Sequence, residues 1–329
     1  MNPIIETISL TRRFRVRDGV RRRELTAVDD LSVRVEPGEA VGYIGANGAG
    51  KSTTIKMLAG ILVPSSGTVT TCGLRPVADR RRLARQIGVV FGQRSQLWWD
   101  LPVRESFRIL AAIHALPAGL ERARTDELVE RLDMAEFLAT PVRQLSLGQR
   151  MRAEIAAALL HAPRLVILDE PTIGLDVLSK QRLREFLIEQ RRSHGTTLLL
   201  TTHDMGDVER LCDRVLVIDR GRLAYDGDLA GLGRAAGAER VLAVDLAEPG
   251  PDLTGIPAAR HLSSEAGGLR QRLAFDAEAT TAARVFAAIA ERADVRDFTV
   301  EEPDIEDVVR RIYARQTGRG APASSDQER

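Results

Sequence analysis

The stretch GANGAGKST at residues 45–53 constrains this chain more than any other. Gly45 is followed after four residues by Gly50, Lys51 and Ser52, and an apolar segment, 40–44, precedes it. Glycines let the backbone curl so that successive N–H groups point inward, and a helix starting near Lys51 adds the positive end of its dipole at the same spot. That combination is a phosphate cradle. The spacing predicts a strand at 40–44, a glycine-rich turn and a helix over about 51–59, with Lys51 reaching the β- and γ-phosphates of a nucleotide and the Ser52 hydroxyl ligating Mg²⁺. Gly45, Asn47, Gly48, Gly50, Lys51, Ser52 and Thr53 are the candidate nucleotide-binding residues of this loop.

A second stretch, RLVILDEP at 164–171, supplies the carboxylates that nucleotide hydrolysis needs. Residues 165–168 are apolar without alternation, as in a strand covered on both faces of a parallel sheet. Its acidic end then emerges at the carboxyl edge, where open α/β sheets bind ligands. Asp169 is placed to hold Mg²⁺ through water. Glu170 is placed to take a proton from the attacking water, a role typically worth 10²- to 10⁴-fold in rate. Taken alone, an acidic pair after a strand also serves as a helix cap; beside a phosphate cradle it points to catalysis.

The composition excludes several classes. Forty-seven basic residues nearly cancel 46 acidic ones for a net charge of +1, so no global field favours nucleic acid or an acidic membrane surface. Cys72 and Cys212 are far apart and lack paired spacing, which fits a reducing compartment and argues against a disulfide framework or zinc site. No apolar run approaches the roughly 18 residues of a spanning helix. The opening MNPIIETISL has no basic region followed by an apolar core, so the chain is expected to be neither secreted nor membrane-spanning.

Between the two stretches lies QLSLGQRMRAEIAAALLHAP, and after them come PTIGLD and LLLTTHD. In this order and spacing, residues 4 to about 228 resemble the nucleotide-binding subunit of ABC transporters. The resemblance implies a P-loop NTPase core, α/β in class, with an inserted helical subdomain at about 94–146. It also implies ATP and Mg²⁺ as ligands, and two copies closing around two nucleotides. The family's LSGGQ, which faces the γ-phosphate bound by the other subunit, is here Leu145, Ser146, Leu147, Gly148 and Gln149, with Leu147 where the family commonly has glycine. Ser146, Gly148 and Gln149 are the residues this implies for contact with nucleotide. Gln93, after the apolar run IGVV, is similar to the glutamine that senses Mg²⁺ and water. Asp176 resembles the organiser of the dimer seam, and His203 the switch histidine that bonds the γ-phosphate. Phe14 stands where the family stacks adenine on an aromatic ring, although a basic insertion near 15–25 separates it from Ala27 and Val28.

Residues 103–116 and 120–134 carry helical apolar periodicity, with Phe107, Leu110, Ala111 and Ile113 on the first segment. A boundary is expected near residue 232. Beyond it, strands near 240–246, 260–263 and 269–275, a helix over about 280–292, the strand RDFTVEE and the helix DIEDVVRRIYARQ make a small α+β domain. The closing EEPDIEDVVRRIY resembles the C-terminal extension of ATPases that serve drug-resistance type exporters. The small, polar residues 317–329 are expected to be disordered. The resemblance implies an ATP-hydrolysing subunit of a bacterial exporter, cytoplasmic and peripheral on the inner face of the membrane, with integral permease subunits and a second ATPase subunit as partners and no nucleic acid. The alternative is a non-transport ATPase of the same type acting on DNA or ribosomes; such chains generally carry long coiled-coil insertions or two ATPase units, and this one has neither. A phosphotransferase kinase would leave LSLGQR without an account.

Both tryptophans, Trp98 and Trp99, stand side by side in FGQRSQLWWD. Large amphipathic rings just after Gln93 suit a docking face for the membrane subunit, formed with Leu97 and Leu101. The other reading is core packing for at least one ring.

Overall fold

The computed structural model describes residues 2–18, 21–91, 95–202, 204–237, 239–301 and 308–309. The chain divides into two compact units, Met1–Asp228 and Leu229–Arg329. In the first unit the strands are β1 (Ile5–Asp18), β2 (Arg21–Val35), β3 (Ala40–Gly45), β4 (Ser66–Thr71), β5 (Ile87–Val90), β6 (Leu165–Asp169), β7 (Thr197–Thr201), β8 (Arg214–Asp219) and β9 (Arg222–Gly227). Its helices are α1 (Lys51–Leu58), α2 (Arg80–Ala84), α3 (Val103–Ile113), α4 (Ala118–Arg131), α5 (Leu147–Leu159), α6 (Val177–His194) and α7 (Met205–Leu211).

Six strands form one sheet in the order β5-β6-β7-β3-β8-β9, parallel as far as β8, with β9 returning antiparallel. β3 and β7 are buried along their whole length, as their unbroken apolar runs require. An antiparallel sheet, β2-β1-β4, lies on the other side of α1. One core joins Leu10, Leu31 and Val35 of that sheet, Ile55, Met57 and Leu58 of α1, and Leu165, Ile167, Leu199 and Leu216 of the six-stranded sheet. The helix that starts at the phosphate cradle is therefore held from both sides. The described residues of the basic insertion extend the pairing of β1 with β2, where Phe14 pairs with Leu25 and Arg15 with Glu24.

The expected helical insertion contains α3, α4 and two short 3₁₀ turns, Ala135–Phe137 and Val142–Gln144. α3 buries Val103, Phe107, Leu110 and Ala111, one stripe at helical spacing. Ile113 does not join that stripe; it falls on the exposed side. At the end of α3 the His114 ring stacks on His161, which follows α5, with centroids 3.9 Å apart and an interplanar angle of 10°. The His161 Nε2 is 3.0 Å from the carbonyl of Ile87 in β5. Burial, with His114 beside it, pushes the His161 pKa down to about 4.

The second unit holds α8 (Leu229–Ala235), β10 (Arg240–Leu246), β11 (Ala259–Glu265), β12 (Arg270–Phe275), α9 (Ala282–Ala290) and β13 (Val295–Glu301). Its antiparallel sheet runs β11-β12-β10-β13, and Leu242, Val244, Leu273, Phe275, Val285 and Ile289 form a core with α9. Thr281 caps α9 by accepting from the Arg284 N–H. The break between units falls after Asp228, so the boundary expected near 232 lies inside α8. Of the expected final helix only residues 308 and 309 are described, and both are helical; the tail expected at 317–329 lies outside the described residues.

Candidate functional site

The loop after β3 turns through Gly48 and Gly50, both at positive φ. At Gly50 (φ 103°) a Cβ would lie 2.2 Å from the Ala27 carbonyl oxygen, so any side chain would collide with backbone. Gly50 is also the N-cap of α1, and no side chain caps that helix. The first-turn N–H groups of α1 consequently stay open to an anion. The Lys51 ammonium is buried and donates to the carbonyls of Gly45 (2.5 Å) and Ala46 (3.2 Å). Burial lowers its pKa, while Glu170 and Asp169 oppose that fall. Both carboxylates are therefore electrostatic neighbours of the lysine, at the carboxyl edge of the sheet.

Asp169 ends β6 beside Thr201 of β7 and accepts a hydrogen bond from the Thr201 hydroxyl. Glu170 follows with φ 55°, a left-handed conformation that costs a non-glycine residue about 1–2 kcal/mol. The register holds it there, because its N–H donates to the Thr201 carbonyl at 2.9 Å. Strain of this kind gathers where a side chain must be aimed at a reaction.

A buried aspartate organises the two segments that leave this edge. Asp207 in α7 accepts from Thr172 Oγ1 at 2.5 Å, Thr202 Oγ1 at 3.4 Å and Arg184 Nε at 2.7 Å. It thus joins the chain just after Glu170 to the chain just before residue 203. Asp204 takes the Lys180 ammonium at 2.6 Å, and that hydrogen bond chiefly lowers its pKa. Sequence reasoning missed Asp207. Its signal is an acid in the first turn of the helix after LLLTTHD, a position that also suits a solvated face.

α5 starts in a capping box: Ser146 Oγ accepts from the Gln149 N–H at 3.2 Å, and Gln149 Oε1 accepts from the Ser146 N–H at 2.9 Å. The Gln149 carboxamide is engaged in its own helix terminus, while the Ser146 hydroxyl keeps its proton to donate. Asp176 caps α6 by accepting from Ser179 N and Oγ at 2.9 and 2.7 Å, and these bonds hold its carboxyl below the ordinary range. Gly148 faces the loop that leads to Asp176, since a Cβ there would lie 3.0 Å from the Gly174 carbonyl oxygen. Ser52 is exposed in the first turn of α1. Phe14 is half-buried, with the Arg12 guanidinium 4.6 Å above its ring. Gln93 and His203 lie outside the described residues.

The tryptophans are 37% and 52% exposed at Trp98 and Trp99, so neither is core. Leu97 is buried and leaves the face on which it was expected. The segment is anchored nonetheless. The Trp98 N–H donates to Ser106 Oγ at 3.1 Å, and the Arg150 guanidinium of α5 lies 5.9 Å above the Trp99 ring. Upstream, Ser95 and the Gln96 N–H bond the buried Glu154 carboxylate of α5. The chain following Gln93 is therefore fastened to the helix that Ser146 opens.

Residues fitting Mg²⁺ are present: a carboxylate, Asp169, at the strand edge, and a hydroxyl, Ser52, on the uncapped helix turn. Among the described residues no group of three or more His, Cys, Asp and Glu could hold a metal. A hard cation that takes only one or two protein ligands and shares phosphate oxygens suits such a sparse set.

The family profile described as ABC transporter matches residues 28–173. The chain is 36% identical over 212 residues to the ABC transporter ATP-binding protein NatA of Bacillus subtilis (strain 168), covering 64% of this chain and 86% of that protein. It is also 36% identical over 226 residues to the daunorubicin resistance ATP-binding protein DrrA3 of Streptomyces coeruleorubidus, covering 68% and 71%. A solved structure of the ATP binding subunit of an ABC transporter superposes with a TM-score of 0.63 at 29% identity, covering 71% of this chain and 94% of that one.

Proposed function

The chain belongs to the ATP-binding proteins of ABC transporters, and from that premise we propose that it powers a bacterial exporter by hydrolysing ATP between two copies of itself. The observation that carries this reading is the uncapped start of α1, with Lys51 flanked electrostatically by Asp169 and Glu170. The loop N–H groups and Lys51 bind the phosphates. Ser52 and Asp169 would hold Mg²⁺, which supplies neutralisation of phosphate charge when bound. Glu170 accepts the proton of the attacking water. In the closed pair the Ser146 hydroxyl and Gly148 backbone meet the nucleotide of the other copy, with Asp176 at the seam. ATP shifts the open and closed populations through its stronger contacts with the closed pair, and hydrolysis removes those contacts. In this reading Gln93 senses Mg²⁺ and water, His203 bonds the γ-phosphate, and Phe14 stacks on adenine.

The likeness to a daunorubicin resistance protein supports export, as does the resemblance of the C-terminal stretch. Neither named relative is tied to DNA or ribosomes by its name. Among the described residues no helix is long and apolar enough to cross a membrane, and in our reading separate permease subunits do so while this chain sits on their cytoplasmic face. Residues 233–316 serve as an auxiliary domain, a role supported by the position of every nucleotide-site residue before Asp228.

Trp98 and Trp99 form the docking face for the permease, supported by their exposure and by their link through Arg150 to α5. Alanine at each position tests this in the assembled transporter and in the isolated subunit. Docking predicts lost co-purification with membrane subunits at unchanged basal ATPase and melting temperature. A fall of several degrees in the isolated subunit for both variants would return the rings to a packing role.

A further inference from the structure

The departure at Leu147 has a structural counterpart. Leu147 is the first residue of α5 and remains exposed, yet its side chain lies against the backbone of Gly174. A Cβ placed on Gly174 would stand 2.4 Å from Leu147 Cδ2 and 2.6 Å from Cγ, and Gly174 itself has φ 74°. The next residue repeats the contact, because a Cβ on Gly148 would meet the Gly174 carbonyl oxygen at 3.0 Å and Leu175 Cδ2 at 3.3 Å. The loop touched in this way is fixed at both ends: Thr172 bonds Asp207, and Asp176 caps α6. Ile173 of the loop is exposed, as are Leu178 and the 80% exposed Val177 at the start of α6.

We propose that Leu147 is a positioning residue that clasps loop 173–176 onto the first turn of α5, so that Ser146 and Asp176 reach a second copy of this chain as one rigid surface edged by Ile173, Val177 and Leu178. A glycine at 147 supplies no side chain to close the gap and adds backbone freedom at the helix start. With leucine the two elements lose that independent motion before the partner arrives, which lowers the ordering cost of association. A twofold pair presents the same apolar edge from both copies. The inference rests on the reading that two copies close around ATP.

The test uses the full chain in a Glu170→Gln background, in which bound ATP persists, and follows dimerisation by light scattering as ATP is added. Leu147→Gly should raise the protein concentration for half-dimerisation about tenfold, the change expected for loss of one well-packed contact. Leu147→Met should restore it. Gly174→Ala should weaken dimerisation because its methyl meets Leu147, and the Leu147→Gly/Gly174→Ala pair should recover part of that loss, a non-additivity confined to residues in contact. Melting temperatures without ATP should differ among the position-147 variants by no more than about 2–4 °C, the cost of glycine's backbone freedom alone. Equal dimerisation of the Leu147→Gly and Leu147 chains, strict additivity in the pair, or a melting loss matching the dimerisation loss would each overturn the clasp. Failure of the Glu170→Gln parent to dimerise would instead overturn the two-copy reading beneath it.

Discussion

Helices α1 and α5 both begin at residues that phosphate chemistry needs, yet α1 starts from Gly50 with no side-chain cap, whereas α5 starts from Ser146 inside a closed capping box. At α1 the first-turn N–H groups have no competitor, and Lys51 rests on loop carbonyls that a phosphate can replace as partners. At α5 the Gln149 N–H and Ser146 N–H are satisfied within the helix, and the Ser146 hydroxyl has a proton left for an incoming oxygen. In the proposed reading the first terminus binds nucleotide within its own subunit, while the second, closed by its own capping box, adds one directed donor when another subunit presents its phosphate. The comparison teaches that the same helix-terminus physics gives an anion site or a self-satisfied face, depending on whether glycine or serine precedes the first turn.

The largest expected effect falls on the α1 side. Glu170→Gln keeps a side chain of the same shape but cannot take the proton, so ATP turnover should drop by about 10² or more while nucleotide binding persists. Steady-state ATPase assays decide it, and near-normal turnover would remove Glu170 from its role. The far end of α5 gives the next effect. The His161 pKa is depressed to about 4 from an ordinary 6.5, so the fold favours the neutral ring. The stabilisation this represents is complete above about pH 6.5 and is lost as pH falls through about 4, with a span of about 3 kcal/mol. His161→Gln should flatten the acid limb of stability between those values in denaturant titrations at several pH values. An unchanged acid limb would mean that other groups govern it.

Ser146→Ala probes the capping box directly. Loss of the cap should cost about 1 kcal/mol and lower the melting temperature by about 2–4 °C. If the hydroxyl also serves the partner's nucleotide, turnover should fall further than that small destabilisation explains. Equal small losses in both would make Ser146 a cap and nothing more. The smallest effect is expected from ending the chain after Asp228, which should leave ATP affinity unchanged in isothermal titration, because the α1 cradle lies wholly in the first unit. A folded truncation that no longer binds ATP would show that the units share the site.

Much of the frame is legible in the residues themselves. Glycine spacing marked the cradle because only residues at ease with positive φ make such a turn, and Gly50 is held against the Ala27 carbonyl. Unbroken apolar runs marked β3 and β6, since a strand covered on both faces has no polar side to show. In the second unit β10, β11, β12 and α9 overlap the segments expected at 240–246, 260–263, 269–275 and about 280–292. Leu97 and Ile113 were not placed correctly, because a short irregular segment and a helix end give no periodicity long enough to say which side is covered.

The sequence by itself determined the chemistry available along the chain: a phosphate loop, an acidic strand end and a serine-capped helix, each set by local residue type and spacing. Only the tertiary structure decided which of these meet. Strand order puts Thr201 beside Asp169 and holds Glu170 in a left-handed turn, and a fully buried Asp207 ties Thr172 to Thr202 across two separate segments. It also set Leu147 on Gly174 and stacked His114 on His161. These contacts join residues distant along the chain, and local propensity carries no information about them; packing does, because a buried polar group or a close backbone approach is stable only where its partner is brought to it.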